Sequence, residues 1–104
     1  MRLQLIFDRV SVEGDIKDKI TKKFANLDKY MRNVSADLRQ GFVKLSKGDR
    51  WGYKVRVGVK TPVKEVVVEG EDEVLLTAVD KAEARISRAV RKTIDKLKTK
   101  RKGK

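Results

Sequence analysis

The strongest constraint on the fold of this 104-residue chain is a long amphipathic pattern in its last quarter. From Thr77 onward, apolar residues recur every three or four positions, which predicts an α-helix with one side facing a core. These residues are Val79, Ala82, Ile86, Ala89, Val90, Thr93 and Leu97. Basic residues follow the same spacing, displaced by about one position, at Lys81, Arg85, Arg88, Lys92, Lys96 and Lys100. The pattern predicts a helix that packs through one face and presents a row of cations along its flank.

Positive charge is concentrated in this helix. Residues 81–104 contain 11 Lys or Arg and 2 acidic residues, a net charge of +9, whereas residues 1–80 contain 16 basic and 13 acidic residues, a net charge of +3. A basic helix face is often only a solvated surface, and a lysine-rich tail often only aids solubility. Charge placed this unevenly favours contact with a polyanion.

The composition excludes most enzyme chemistry. The chain has no Cys and no His, which removes thiol nucleophiles, disulfides, imidazole bases and zinc-finger sites. No apolar run approaches the roughly 18 residues that span a bilayer, and the N-terminus lacks a secretory apolar stretch. Neither predicted helix pairs its basic side with an exposed aromatic face, as a membrane-surface helix would. We therefore expect a cytoplasmic protein that binds nucleic acid, with no cofactor, metal, small-molecule substrate or membrane partner.

The first 32 residues predict a strand followed by a helix. Leu3, Leu5 and Phe7 alternate with other residues and are expected to face the core. From residue 16 to about residue 32, apolar residues again follow helical spacing, and Asp15 with Asp18 resembles an N-cap and acidic first turn. The apolar residues are Ile16, Ile20, Phe24, Leu27 and Met31, and the lysines on the wetter sides are Lys19, Lys22, Lys23 and Lys29.

Residues 36–69 predict three further strands. The alternation of residues 36–47 breaks at Gly41, which favours a β-bulge there. After a hairpin turn at residues 46–50, one side of the next strand carries Trp51, Tyr53, Val55, Val57 and Val59. The last strand is expected over residues 63–69, ending at Gly70.

These elements predict an α+β fold in the order β-α-β-β-β-α, with two helices packed on one face of a four-stranded sheet. The β-α-β start is a right-handed crossover, so the first two strands should be parallel. Residues 1–98 are expected to form a single domain, and residues 99–104 a basic, disordered tail. Helices lying side by side would join their basic sides into one cationic surface.

Two further features leave alternatives open. Glu69, Glu71, Asp72 and Glu73 precede the long helix; they could bind a metal or act as an acid–base pair, but acids at this position more simply complement the helix dipole. Trp51 and Tyr53 could stack on nucleic-acid bases, yet they share the side of the strand that carries the buried valines. We expect Tyr53 in the core and leave Trp51 open.

Two motifs carry a resemblance to a known family. The first helix contains Lys23-Phe-Ala-Asn-Leu-Asp-Lys-Tyr30, and in the second helix Ala78-Val-Asp80 is followed by Arg85-Ile86, Arg88, Val90 and Lys92. Together they resemble the ribosome hibernation-promoting factor family, which includes the ribosome-associated inhibitor protein Y, in its short form without a second domain. The resemblance covers nearly the whole chain.

The resemblance implies a domain that binds the small ribosomal subunit and its rRNA at the decoding centre. There it would block mRNA and tRNA binding and inhibit translation in idle ribosomes during stress. Four basic residues match family positions expected to face rRNA: Lys23, Arg85, Arg88 and Lys92. The charge pattern alone adds Lys19, Lys22, Lys29, Arg91 and Lys96 as RNA-binding candidates.

Two other functions fit parts of the sequence. A general double-stranded RNA- or DNA-binding module, not specific to the ribosome, would use the same basic helices and bind any A-form helix comparably. An enzyme could use the acids of residues 69–73, but the missing His and Cys argue against it. We expect a non-enzymatic protein.

Overall fold

The computed structural model describes residues 2–32, 34–35, 38–62 and 64–102, and for residues 97–102 it describes the backbone only. Within these residues the order is β-α-β-β-β-α, which confirms the predicted α+β fold. The elements are β1 (Arg2–Asp8), α1 (Gly14–Ala25), a 3₁₀ helix (Asn26–Tyr30), β2 (Gln40–Lys47), β3 (Tyr53–Lys60), β4 (Glu65–Asp72) and α2 (Leu75–Lys102). None of the helices described is long and apolar enough to cross a membrane.

The four strands form one sheet in the order β1-β2-β3-β4. β1 and β2 are parallel, as predicted from the crossover through α1, and the other two pairings are antiparallel. The register sets Val43 opposite Val57 and Leu45 opposite Val55. These side chains are fully buried, so they mark the face that the helices cover.

The core lies between this face and the apolar sides of both helices. Its largest fully buried side chains are Phe24, Ile20, Leu27, Met31, Leu45 and Ile86, and Leu3, Leu5 and Phe7 of β1 pack against it. Burying each large apolar side chain contributes roughly 1.5–3 kcal/mol. The helical patterns predicted this burial for Ile20, Phe24, Leu27, Met31, Val79, Ala82, Ile86, Val90 and Thr93, while Ile16 and Ala89 are partly buried and the side chain of Leu97 lies outside the description. The opposite face of the sheet carries no helix in the part of the chain described; we call it the open face.

Gly70 lets α2 rest directly on β4. A Cβ atom at Gly70 would lie 2.7 Å from the Ala82 nitrogen and 2.8 Å from the Ala78 oxygen. The prediction that the strand ends at Gly70 is wrong, because Gly70 pairs with Val55 and β4 continues to Asp72. The glycine marks a close approach of backbones, not a break in the strand.

The first helix is shorter than predicted. α1 ends at Ala25, and the chain continues as a 3₁₀ helix from Asn26, a residue type that is unfavourable inside an α-helix. The N-cap of α1 is Glu13, whose carbonyl oxygen accepts hydrogen bonds from the Ile16 and Lys17 amides at 3.1 Å. The predicted capping by Asp15 is therefore wrong.

The predicted bulge at Gly41 is also wrong. β2 begins at Gln40, and its register against β3 runs without a skipped residue. The alternation breaks because Phe42 lies on the open face, where its ring covers Gly58; a Cβ at Gly58 would lie 2.3 Å from Phe42 Cε1. Leu38, before the strand, is 64% exposed.

Several predicted segments reach past the described residues. Residues 36 and 37 of the second predicted strand, and Val63 at the start of the fourth, lie outside them. α2 ends at Lys102, and residues 103 and 104 are likewise outside the description. The disorder of residues 99–104 stays a prediction.

Candidate nucleic-acid interface

The basic flank of α2 consists of Lys81, Arg85, Arg88, Lys92 and Lys96, all exposed. This flank is the side of α2 that faces β4. Near the start of α2, two of its members contact β4, and near the other end Lys92 and Lys96 line a groove of about 340 Å³ with Lys64 and Val66. The cations therefore form one row along the outer edge of the domain.

Two members of the basic flank are held by β4. Lys81 Nζ lies 2.8 Å from Asp72 Oδ2 and donates to the Glu71 carbonyl at 3.2 Å. Arg85 donates to the carbonyl oxygen of Glu69. Because β4 is an edge strand, these contacts occupy main-chain acceptors that β3 does not use. They also fix the orientation of α2 on the sheet.

The other three members have no such partners. Arg88, Lys92 and Lys96 form no ion pair with any residue that the structure describes. Successive members four residues apart rise by about 6 Å along the helix. Their charges are not neutralised within the described protein, so they are the groups best placed to contact an external anion.

The cations of α1 face the opposite flank of α2. Lys23 forms an ion pair with Asp80 of α2, and Lys19 lies one turn before it on the same flank. Lys19 and Lys22 are exposed and form no ion pair within the residues described. The structure therefore does not bring the lysines of α1 against the basic flank of α2.

Tyr30 joins two further candidates between the helices. Lys29 Nζ lies 5.1 Å from the centroid of the Tyr30 ring, and Arg91 Cζ lies 5.7 Å from the same ring. Both distances fall within the range of cation–π attraction. Arg91 thus belongs with Lys29 on the α1 side of α2, away from the basic flank.

The acids before α2 separate into two groups. Asp72 accepts hydrogen bonds from Lys81 and from the Val74 amide at 3.0 Å, and these bonds, Lys81 first, hold the pKa of its carboxyl below the ordinary value. Glu69 and Glu71 instead lie 3.5 and 3.9 Å from Lys54 Nζ. Among the residues described, no three Asp or Glu side chains are grouped closely enough to hold a metal ion.

The two aromatic residues near the hairpin differ in burial. Tyr53 packs against the core, as predicted, while Lys47 Nζ lies 5.1 Å from its ring centroid. Trp51 lies in the loop between β2 and β3 and is 64% exposed. It is therefore available to stack on a partner.

Sequence reasoning missed one cationic pair. Lys44 of β2 and Arg56 of β3 lie directly opposite each other. Each sits between buried residues of its strand, so alternation alone could have placed both on the open face. Their pairing depends on the strand register, which alternation does not supply.

Residues 3–98 match the sequence profile of a family described as sigma 54 modulation protein / S30EA ribosomal protein. No curated protein sequence matches the chain significantly. The crystal structure of the Thermus thermophilus protein Y N-terminal domain is similar, with a TM-score of 0.74 and 29% identity, covering 89% of this chain and 99% of that one.

A ribosomal subunit interface protein from Coxiella burnetii shares the fold, with a TM-score of 0.70 and 15% identity, covering 95% of this chain and 99% of that one. The likeness to the protein Y domain confirms the resemblance seen in the two helix motifs. The family profile spans nearly the whole sequence, and on that ground the chain belongs to the sigma 54 modulation protein / S30EA ribosomal protein family.

Proposed function

We propose that this protein binds the rRNA of the small ribosomal subunit at the decoding centre, blocks mRNA and tRNA binding there and inhibits translation in idle ribosomes. It would act in the cytoplasm, under stress, on the subunit and the whole ribosome, without catalysis. The observation that carries the proposal is the row of Arg88, Lys92 and Lys96, whose charges are uncompensated within the described residues of a protein from a ribosomal family.

The orientation of α2 suits this role. The helix has 28 residues, a length of about 42 Å, and Lys81 and Arg85 tie its first half to β4. The cations farther along therefore project from a fixed support, which reduces the entropy lost on binding. Arg88 can donate two hydrogen bonds to one phosphate, whereas Lys92 and Lys96 act as point charges.

The remaining candidates would contact RNA from the other flank of α2. Lys19 and Lys22 are exposed there, and Lys29 and Arg91 lie beside Tyr30. Lys23 and Arg85 already have a partner each, but an ammonium has three N–H donors and a guanidinium has five. We assign both to rRNA contact through their remaining donors.

The test compares two double variants that each lose one Arg and one Lys. Arg88→Gln with Lys92→Gln removes two members of the basic flank, whereas Arg2→Gln with Lys60→Gln removes two exposed cations of the sheet. All four side chains are exposed, so both variants should keep the far-ultraviolet circular dichroism of the wild type.

Binding to purified small subunits is then measured against salt. With about 8 phosphates contacted, the wild-type slope of log affinity against log salt should be about −6 to −7, and the first variant should reduce its magnitude by about 1.4–1.8. The control variant should keep the wild-type slope of log affinity against log salt. Equal weakening in the two variants would mean that net charge, not the basic flank, governs binding, and would contradict the proposal.

A further inference from the structure

A concavity of about 420 Å³ opens on the open face, opposite the helices and their cations. It lies where the end of β1 and the β2–β3 hairpin meet the sheet, and five cationic and three acidic side chains line it. Two of these acids, Asp49 and Glu69, lie 3.9 and 3.5 Å from Lys54 Nζ. Two of the three acids therefore lie within 4 Å of Lys54, although Glu69 is also the residue opposite Arg56 in the strand register.

Lys44 and Arg56 form no ion pair with a described residue in this concavity, and Glu69, which the register sets opposite Arg56, has its carboxylate 3.5 Å from Lys54 Nζ instead. They are directly opposed on β2 and β3, and neither has a carboxylate oxygen within 4 Å among the residues described. Like charges placed opposite each other on antiparallel strands destabilise the sheet. An anion bound between them would remove that repulsion.

A third cation comes from a strained position. Arg9 follows β1 directly, lines the same concavity and has a φ angle of 59°. It is the only non-glycine residue with a positive φ in the part of the chain described. Left-handed backbone at such a residue costs about 1–2 kcal/mol and recurs at functional sites. The turn places a third positive charge in the concavity that Lys44 and Arg56 line.

We propose that Arg9, Lys44 and Arg56 form a second phosphate-binding site, which takes the phosphodiester backbone of a single-stranded RNA segment. A single strand fits because exposed Trp51 lies in the hairpin that borders the concavity, where a base can stack on it. This site is separate from the basic flank of α2, on the other side of the sheet. One molecule would therefore contact two RNA segments, one on each face.

The test is a titration of ¹⁵N-labelled full-length protein with decauridine RNA, followed by chemical-shift changes. We expect saturable changes at the amides of Arg9, Lys44 and Arg56. Lys44→Gln with Arg56→Gln should weaken this binding about tenfold at 0.15 M salt and reduce the salt slope by about 1.4, because two phosphate contacts are lost. Arg2→Gln with Lys60→Gln, on the same face and with the same charge change, should bind normally.

Two further variants separate this site from the basic flank and from unfolding. Arg88→Gln with Lys92→Gln should leave the changes at Arg9, Lys44 and Arg56 intact even if ribosome binding is lost. Arg9→Gly removes a cation while suiting the positive φ, so it should weaken RNA binding without loss of stability. Shift changes confined to the helices, equal weakening by the control, or equal saturation by inorganic phosphate would overturn the proposal.

Discussion

Replacing Gly70 by Ala tests how closely α2 is seated on β4. The added Cβ would lie 2.7 Å from the Ala82 nitrogen, 2.8 Å from the Ala78 oxygen and 3.2 Å from the Ala82 Cα atom. Ordinary contacts begin near 3.4 Å, so the closest pair must separate by about 0.7 Å. The atoms that it meets belong to the helix backbone, which cannot rotate aside as a side chain can.

The expected cost follows from two opposing effects. Overpacking at a close contact costs typically 1–3 kcal/mol, whereas replacing Gly by Ala restricts the unfolded chain and returns about 0.4–1 kcal/mol. We expect the variant to lose about 1–2 kcal/mol of unfolding free energy. At about 4–8 °C for each kcal/mol in a domain of this size, the melting temperature should fall by roughly 5–15 °C.

The assay is urea unfolding followed by far-ultraviolet circular dichroism, with Gly14→Ala as the matched control. Gly14 begins α1, and a Cβ there would meet no atom within 4 Å. The control should be unchanged or more stable by up to about 1 kcal/mol, since Ala favours the helix. Wild-type stability in Gly70→Ala would refute the close seating of α2, and an equal loss in both variants would point to a general effect of removing glycine.

Two predictions concern charged contacts around α2. Asp72→Asn should lower the unfolding free energy at neutral pH. Because Lys81 and Val74 lower the folded-state pKa of Asp72, its contribution is present above the ordinary value of 3.8 and is lost as pH falls through the lowered value. Urea midpoints of wild type and variant should therefore converge in acid, and a gap that persists there would contradict the assignment. Lys23→Gln should change stability by less than about 1 kcal/mol in the same assay, because its pair with Asp80 is half-exposed, and a loss of several kcal/mol would show that solvent does not screen the pair.

The fold was predictable from sequence because its apolar patterns are regular. The three-and-four spacing from Val79 to Ile86 and the alternation of Val55, Val57 and Val59 each allow one buried face, and those residues are buried. The parallel pairing of β1 with β2 followed from the helical crossover that connects them. Each of these patterns rests on several apolar residues at regular spacing, so one atypical residue does not change the prediction.

The errors arose where one residue served a tertiary contact. Gly70 predicted the end of a strand, but it is the position where the backbone of α2 packs directly against β4, which only the packed structure reveals. Phe42 suggested a slipped register, but it covers Gly58 on the open face. In both cases a contact with a residue distant in sequence explains why that residue type is present. Rules based on local sequence pattern do not contain that information.

The candidate site was predictable in composition but not in arrangement. Helical spacing identified the basic flank of α2, yet it could not show that Lys81 and Arg85 are held by β4 while Arg88 forms no ion pair among the described residues. The partners of Lys81 and Arg85 lie on another element, so helix periodicity cannot reveal them. The same is true of Lys44 and Arg56, which only the register brings together.

Ribosome recognition is tested by co-sedimentation of the purified protein with ribosomes and with separated subunits at moderate salt. An excess of unrelated duplex RNA is added as competitor. We predict that the protein stays on the small subunit and on whole ribosomes despite the competitor. Release by the competitor would contradict this prediction, because the basic helices would then bind any A-form RNA without recognising the ribosome.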